Sequence, residues 1–137
     1  MKKLQFTIKK SLSEVERVRV ELEQFYVDNG LKDKAIYELE LILEELLSNI
    51  INYGFVDRKF QPIILNVGLN NKNVVLSVKD KGKPFNPLEL EDPDVSGSVK
   101  DRKIGGLGIF MLKKLSDNVK YEYKQKSNVT TILKKIR

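Results

Sequence analysis

Cysteine and histidine are both absent from the 137 residues. Without cysteine there is no disulfide framework, no thiolate nucleophile and no zinc cage of the usual thiolate kind. Without histidine there is no Ser-His-Asp triad, no imidazole base and no phosphohistidine on this chain. Catalysis, if any, has to run on carboxylates, amides, hydroxyls, lysine or arginine, or on a bound metal. Proline is scarce, with 4 residues, and no apolar run approaches the roughly 20 residues that span a bilayer. Met1-Lys2-Lys3 could open a signal peptide, but the alternating Leu4-Gln5-Phe6-Thr7-Ile8 behind it is no apolar h-region. A cytoplasmic protein is expected, with no membrane partner.

What is present is the material of a soluble globular fold. Hydrophobic residues make up 41% and charged residues 32%, enough apolar side chain for one core, and the length is that of one domain covering 1–137. The net charge of +6 is unevenly placed. Residues 1–68 carry 10 Lys/Arg against 11 Asp/Glu, and residues 69–137 carry 15 against 8. A basic second half suits an anionic ligand or partner, and equally a solvated lysine-rich surface. No aromatic-basic interleaving and no helix-turn-helix signature accompanies it, so direct nucleic-acid binding is not expected.

Leu4 to Ile8 alternates apolar and polar residues and reads as a strand. Ser11-x-x-Glu14 and Ser13-x-x-Glu16 are overlapping capping boxes that start a helix. Its apolar face is Val15, Val18, Leu22 and Phe25, and Asn29-Gly30 stops it. A second helix should run from about Asp33 to Tyr53, ended by Gly54. Ile63 to Leu69 and Val74 to Val78 read as strands joined by the polar turn Asn70-Asn71-Lys72-Asn73. Periodicity fails from Asp80 to Gly106, a loop long enough to be functional or mobile. It returns as a helix over Leu107–Leu115, followed by short strands near Val119–Tyr123 and Val129–Ile136. This order predicts an α/β two-layer sandwich, with helices on one face of a mixed, largely antiparallel sheet.

Three motifs carry chemistry. On the second helix, at roughly 100° per residue, Ile36, Leu39, Leu43, Leu46, Leu47 and Ile50 share an apolar arc. Glu45 and Asn49, four residues apart, stack on the opposite flank with Glu38 and Asn52 beside them. A carboxylate above a carboxamide can activate a hydroxyl or water and hold a hard cation through oxygen; alone, it is also what a solvated polar stripe looks like. Next, Asp80-Lys81-Gly82-Lys83-Pro84-Phe85-Asn86-Pro87 follows a strand directly. An acid there can read the donor edge of a ligand, and Gly82 permits close backbone approach or a positive φ; a charged Pro/Gly turn has the same composition. Last, Gly105-Gly106-Leu107-Gly108-Ile109 opens the third helix, where bare N–H groups suit phosphate, although a hinge or plain cap would read alike. Neither a P-loop nor the protein-kinase His-Arg-Asp and Asp-Phe-Gly signatures occur.

Taken in order, Glu45-Leu46-Leu47-Ser48-Asn49-Ile50-Ile51-Asn52-Tyr53-Gly54-Phe55, Asp80-x-Gly82-x-Pro84-Phe85 and Gly106-Leu107-Gly108 resemble the N, G1 and G2 boxes of the GHKL (Bergerat-fold) ATPases. Within that superfamily the chain is similar to the stand-alone anti-sigma factor/serine-protein kinases, which have a histidine kinase-like ATPase domain, over about residues 5–136. The resemblance implies the Bergerat ATP-binding fold, with ATP and Mg²⁺ as cofactors. It implies Glu45 as general base, in preference to Glu44, and Asn49 as the Mg²⁺ ligand. Asp80 would accept from the adenine amine, with Gly82 and Pro84 in the same box and Thr130, or its rival Thr131, assisting. Gly106, Leu107 and Gly108 would present N–H groups to phosphates. Residues 88–104 would form an ATP lid, from which Arg102 or Lys103 would reach the γ-phosphate. Tyr53 and Ile104 depart from the pattern, standing where relatives often have His and a cation.

The activity implied is ATP-dependent phosphorylation of a serine on a small anti-sigma-factor antagonist of the STAS type. A sigma factor is a further implied partner, and a homodimer the implied assembly. The alternatives are a non-catalytic ATP-binding anti-sigma module, and a catalytic domain acting with a separate histidine phosphotransfer protein.

Overall fold

The computed structural model describes residues 1–89 and 106–136. Five strands and three helices follow in the order β1 (Lys2–Ile8), α1 (Leu12–Asp28), α2 (Asp33–Asn49), β2 (Ile63–Leu69), β3 (Asn73–Asp80), α3 (Gly106–Leu115), β4 (Asn118–Lys124) and β5 (Ser127–Lys135). A π-helical turn, Ile50–Gly54, extends α2, and a short 3₁₀ turn, Pro87–Glu89, follows β3.

The predicted helices arise where their caps and periods place them. Of the two capping boxes, the chain uses the first. Ser11 Oγ accepts from the Glu14 amide at 3.1 Å, and Glu14 Oε1 accepts from the Lys9 amide at 3.2 Å, so two donors at the helix entry are satisfied together. α1 buries Val18, Leu22 and Tyr26, one per turn. Tyr26 rather than Phe25 is the deep aromatic, and Phe25 packs at the margin. Gly30 ends the helix with φ 77°, a left-handed conformation that costs glycine little. α2 buries five of the six residues of its predicted arc, together with Ile42, and the sixth, Ile50, is buried in the π turn that follows.

The sheet has the order β1-β2-β3-β5-β4. Every pairing among the described residues is antiparallel, so the parallel component of the expected mixed sheet does not occur there. A parallel pair needs a crossover, whereas the links β2 to β3 and β4 to β5 are tight hairpins. In the first, Asn70 Oδ1 accepts from the amides of Lys72 and Asn73, both at 2.8 Å. The strand period of two sends Phe6, Ile8, Ile63, Leu65, Val67, Leu69, Val74, Leu76, Val78 and Ile132 inward. With Val18, Leu22, Tyr26, the α2 arc and Leu112 of α3 they form one core, and the two-layer sandwich is complete. Among the described residues no helix is long and apolar enough to cross a membrane.

Two tertiary ties lock the helical layer. Lys134, buried on β5, donates to a Glu38 carboxylate oxygen and, at 2.7 Å, to the Leu115 carbonyl. Glu38, expected beside Glu45 and Asn49, therefore serves the joint between α2, α3 and β5. The second tie joins the end of α2 to the loop after β3.

The β4–β5 turn carries Gln125 and Lys126 at φ 52° and 60°. Left-handed backbone costs an ordinary L-residue roughly 1–2 kcal/mol, and two-residue hairpins prefer Asn-Gly there. Both side chains are exposed, so Lys126→Gly relieves strain and removes no packing. The expected gain is about 1 kcal/mol, or about 3 °C in Tm for a chain of this length, read by thermal unfolding.

Candidate active site

β3 alternates inward Val74, Leu76 and Val78 with outward residues, and the next inward position is Asp80. The carboxylate is thus carried by strand geometry to the edge of the core, where the residue is 5% exposed. Its Oδ1 accepts from the Gly82 amide at 2.9 Å and from Asn128 Nδ2 at 3.1 Å. Its Oδ2 takes no hydrogen bond from a described residue. Burial pushes the Asp80 carboxyl above its ordinary value, while the donors from Asn128 and Gly82 pull the other way.

Gly82 is required by proximity. A Cβ there would lie 2.8 Å from the Gly54 carbonyl oxygen and 2.9 Å from Asp80 Oδ1. The Lys83 amide also donates to the Gly54 carbonyl, at 2.9 Å. The end of the α2 extension is therefore docked on the loop that follows Asp80. The π turn at Ile50–Gly54 sits between Asn49 and this contact; such widened turns recur at functional positions.

Asn49 and Glu45 lie on α2 just before that turn. Asn49 Nδ2 is buried and has no hydrogen-bond partner, an unmet amide of the kind a ligand would satisfy. Glu45 is half-buried. Desolvation and, secondarily, the neighbouring Glu44 charge raise its carboxyl above the usual range. Glu44 itself is exposed. Pro84 is exposed as well. Thr130 is buried on the same sheet face as Asp80, opposite Val78, whereas Thr131 lies opposite Ser77 on the other face. The strand period therefore separates the two threonines. Gly106, Leu107 and Gly108 form the first turn of α3. Arg102, Lys103 and all but the first two residues of the expected lid lie outside the described residues.

Asn128 and Tyr121 were not legible as site residues. Asn128 stands opposite Asp80 across the β3–β5 pairing, and the Tyr121 hydroxyl donates to Asn128 Oδ1. No local motif marks either of them; only the register brings them to the site.

The sequence model for the family described as histidine kinase-like ATPase domain matches residues 8–134. The serine-protein kinase RsbW of Oceanobacillus iheyensis is 24% identical over 100 residues, which are 66% of this chain and 60% of that protein. RsbW of Listeria monocytogenes is 26% identical over 98 residues, 69% of this chain and 62% of the relative. The serine/threonine-protein kinase BtrW of Bordetella bronchiseptica is 24% identical over 111 residues, 81% and 78% of the two chains. This chain thus spans about three fifths of the RsbW relatives it matches. Among solved structures, the RsbU and RsbW domains of a Mycobacterium tuberculosis protein superpose with a TM-score of 0.69 at 17% identity, covering 100% of this chain and 33% of that one. The likeness establishes the fold.

The contact between the two glycines makes opposite demands on them. Gly82→Ala meets backbone atoms that cannot yield and should cost about 1–3 kcal/mol. A Cβ on Gly54 would find Ile50 Cγ2 at 3.7 Å, ordinary contact, so Gly54→Ala should unfold near wild type in urea titration. For Asp80 the sign follows from its raised pKa: the buried charge is a cost above that pKa and disappears below it. Asp80→Asn should therefore melt above wild type at pH 7, and the gap should close as pH falls toward the ordinary aspartate range. Melting both proteins across pH checks this, because every other carboxylate is common to the two.

Proposed function

Since the chain belongs to the histidine kinase-like ATPase domain family, we propose that it is a protein-serine kinase that uses ATP with Mg²⁺. Its substrate is a small anti-sigma-factor antagonist of the STAS type, and it acts in the cytoplasm as an anti-sigma regulatory factor and a homodimer. The observation that carries this reading is the docking of Gly82 on Gly54. It holds an acceptor without a hydrogen bond from a described residue, Asp80 Oδ2, and an unmet amide, Asn49, at fixed places on either side of one junction.

The residues fit the groups required. Asp80 Oδ2 suits a base that presents an N–H, and Thr130 lies on the same face. Among the described residues there is no cluster of three carboxylate or imidazole groups that could hold a metal alone. A hard divalent cation takes about six oxygens, so Asn49 could hold it only jointly with phosphate oxygens and water, which suits a metal–nucleotide complex. Mg²⁺, when bound, supplies charge that offsets the phosphates. The first turn of α3 would offer its free N–H groups to those phosphates. α3 is fixed at its other end by Lys134 beside Glu38.

Glu45 would orient the acceptor serine hydroxyl and take its proton as the new oxygen–phosphorus bond forms and the bond to the nucleotide diphosphate breaks. A carboxylate raised by desolvation is a better proton acceptor near neutral pH than an exposed one. The names of the RsbW relatives support serine as the acceptor, and that of BtrW supports serine or threonine.

Three measurements test the proposal. Glu45→Ala should retain Mg-ATP affinity in isothermal titration and lose about 10²–10⁴-fold in transfer rate; a fully active variant would end the base assignment, and binding without transfer in the wild type would favour a non-catalytic ATP-binding module. Asn49→Ala should weaken Mg-ATP sharply. In wild type, transfer should decline with falling pH as Glu45 takes up a proton, with the midpoint above the ordinary glutamate value of 4.5.

A further inference from the structure

We propose that Asn128 is a positioning residue for nucleotide selection. It saturates one oxygen of Asp80 and leaves the other as a single, directed acceptor for an amino-bearing base. This rests on the adenine role given to Asp80 above.

Asn128 is 4% exposed and faces Asp80 in register across β3 and β5. Its Oδ1 accepts from the Phe85 amide at 3.1 Å and from the Tyr121 hydroxyl. A carboxamide oxygen has two lone pairs, and these two donors use both. They also decide which way the amide faces. With its oxygen tied to β4 and the loop, Nδ2 must point at Asp80 Oδ1, the Gly82 carbonyl and the Lys83 carbonyl, at 3.1, 3.3 and 3.0 Å.

Asp80 Oδ1 therefore holds two donors, Gly82 N and Asn128 Nδ2, and has no direction left for a ligand. Oδ2 is what remains. A carboxylate free to rotate could offer either oxygen; with Oδ1 held by Gly82 and Asn128, only Oδ2 meets a ligand, and in the ionised form it accepts. An amino group on the base satisfies it, and a carbonyl in the same place leaves two acceptors facing each other without water, at a cost that separates the two ligands. Two near relatives of asparagine do not do the same work in this position. Aspartate lacks the donors, and glutamine is one methylene too long for a buried slot.

The test compares Mg-ATP and Mg-GTP affinities by isothermal titration in wild type, Asn128→Asp, Tyr121→Phe and Asp80→Ala, each checked for folding by its thermal transition. Asn128→Asp sets two carboxylates against one another at pH 8. The ATP preference should fall about tenfold or more and return on acidification, when one proton is shared across the pair. The titratable groups in contact with Asn128 are Asp80 on β3 and Tyr121 on β4. Glu89 and Tyr123 act on the Tyr121 charge from further off. Should Asn128→Asp fail to fold, Tyr121→Phe removes one of the two donors on Oδ1 from a half-buried ring, and a loss of about threefold in the preference is expected. A folded Asn128→Asp, or in its place Tyr121→Phe, with the wild-type ratio overturns the proposal. If wild type itself shows no ATP preference, or Asp80→Ala leaves it intact, the adenine role of Asp80 fails and takes this proposal with it. Loss of the preference in Asp80→Ala with retention in Asn128→Asp defeats the role of Asn128 alone.

Discussion

The Asp80 carboxylate is buried at the end of an inner strand, where its charge is a cost unless donors meet it, and the surrounding elements are arranged to supply them. β5 contributes Asn128 from directly opposite, and the loop turns back so that the Gly82 amide reaches the same oxygen. That return is possible only because Gly82 has no side chain to strike Gly54. The loop conformation, the end of the α2 extension and the β3–β5 register therefore depend on one another. Such over-determined polar networks hold a single arrangement because a partly satisfied one is worse than none.

The same logic governs the helical layer with a different residue pair. Lys134 is an inward lysine beside the buried Val74 and Leu69 of its row, and it is tolerated because Glu38 and the Leu115 carbonyl receive it. A buried ion pair contributes little net stability but is costly to break. Its effect here is positional, since it fixes where α3 ends relative to α2. The start of α3 and the Glu45–Asn49 flank of α2 are then parts of one rigid layer over the sheet. Glu45 sits half-buried at the margin of that layer, where desolvation raises its proton affinity.

Likeness in sequence and likeness in fold bear on different questions. The family model covers residues 8–134 and the RsbU/RsbW structure covers the whole chain, so the architecture is common property. The kinase relatives are only 24–26% identical, and part of the hydrogen-bond network around Asp80 is built by residues outside the three motifs. Asn128 and Tyr121 belong to this second group. They reach Asp80 and the loop after β3 by hydrogen bonds, without any motif of their own.

What the sequence determined by itself is local. The capping box at Ser11, the stop at Gly30, the apolar arc of α2 and the period-two strands follow from short-range propensity and from which faces must leave water. The three motifs lie within single elements, so their order and spacing were visible as well. Register is another matter: it is set by how whole strands align once the core closes. Only that alignment put Asn128 opposite Asp80, Lys134 beneath Glu38, and Thr130 on the site's face with Thr131 on the other. The docking of Gly82 against Gly54 joins residues far apart in the chain, and the positive φ at Gln125 and Lys126 comes from closing a two-residue hairpin with Lys124 opposite Ser127. These features arise from contacts between elements, and a one-dimensional pattern carries no record of the distances across which they act.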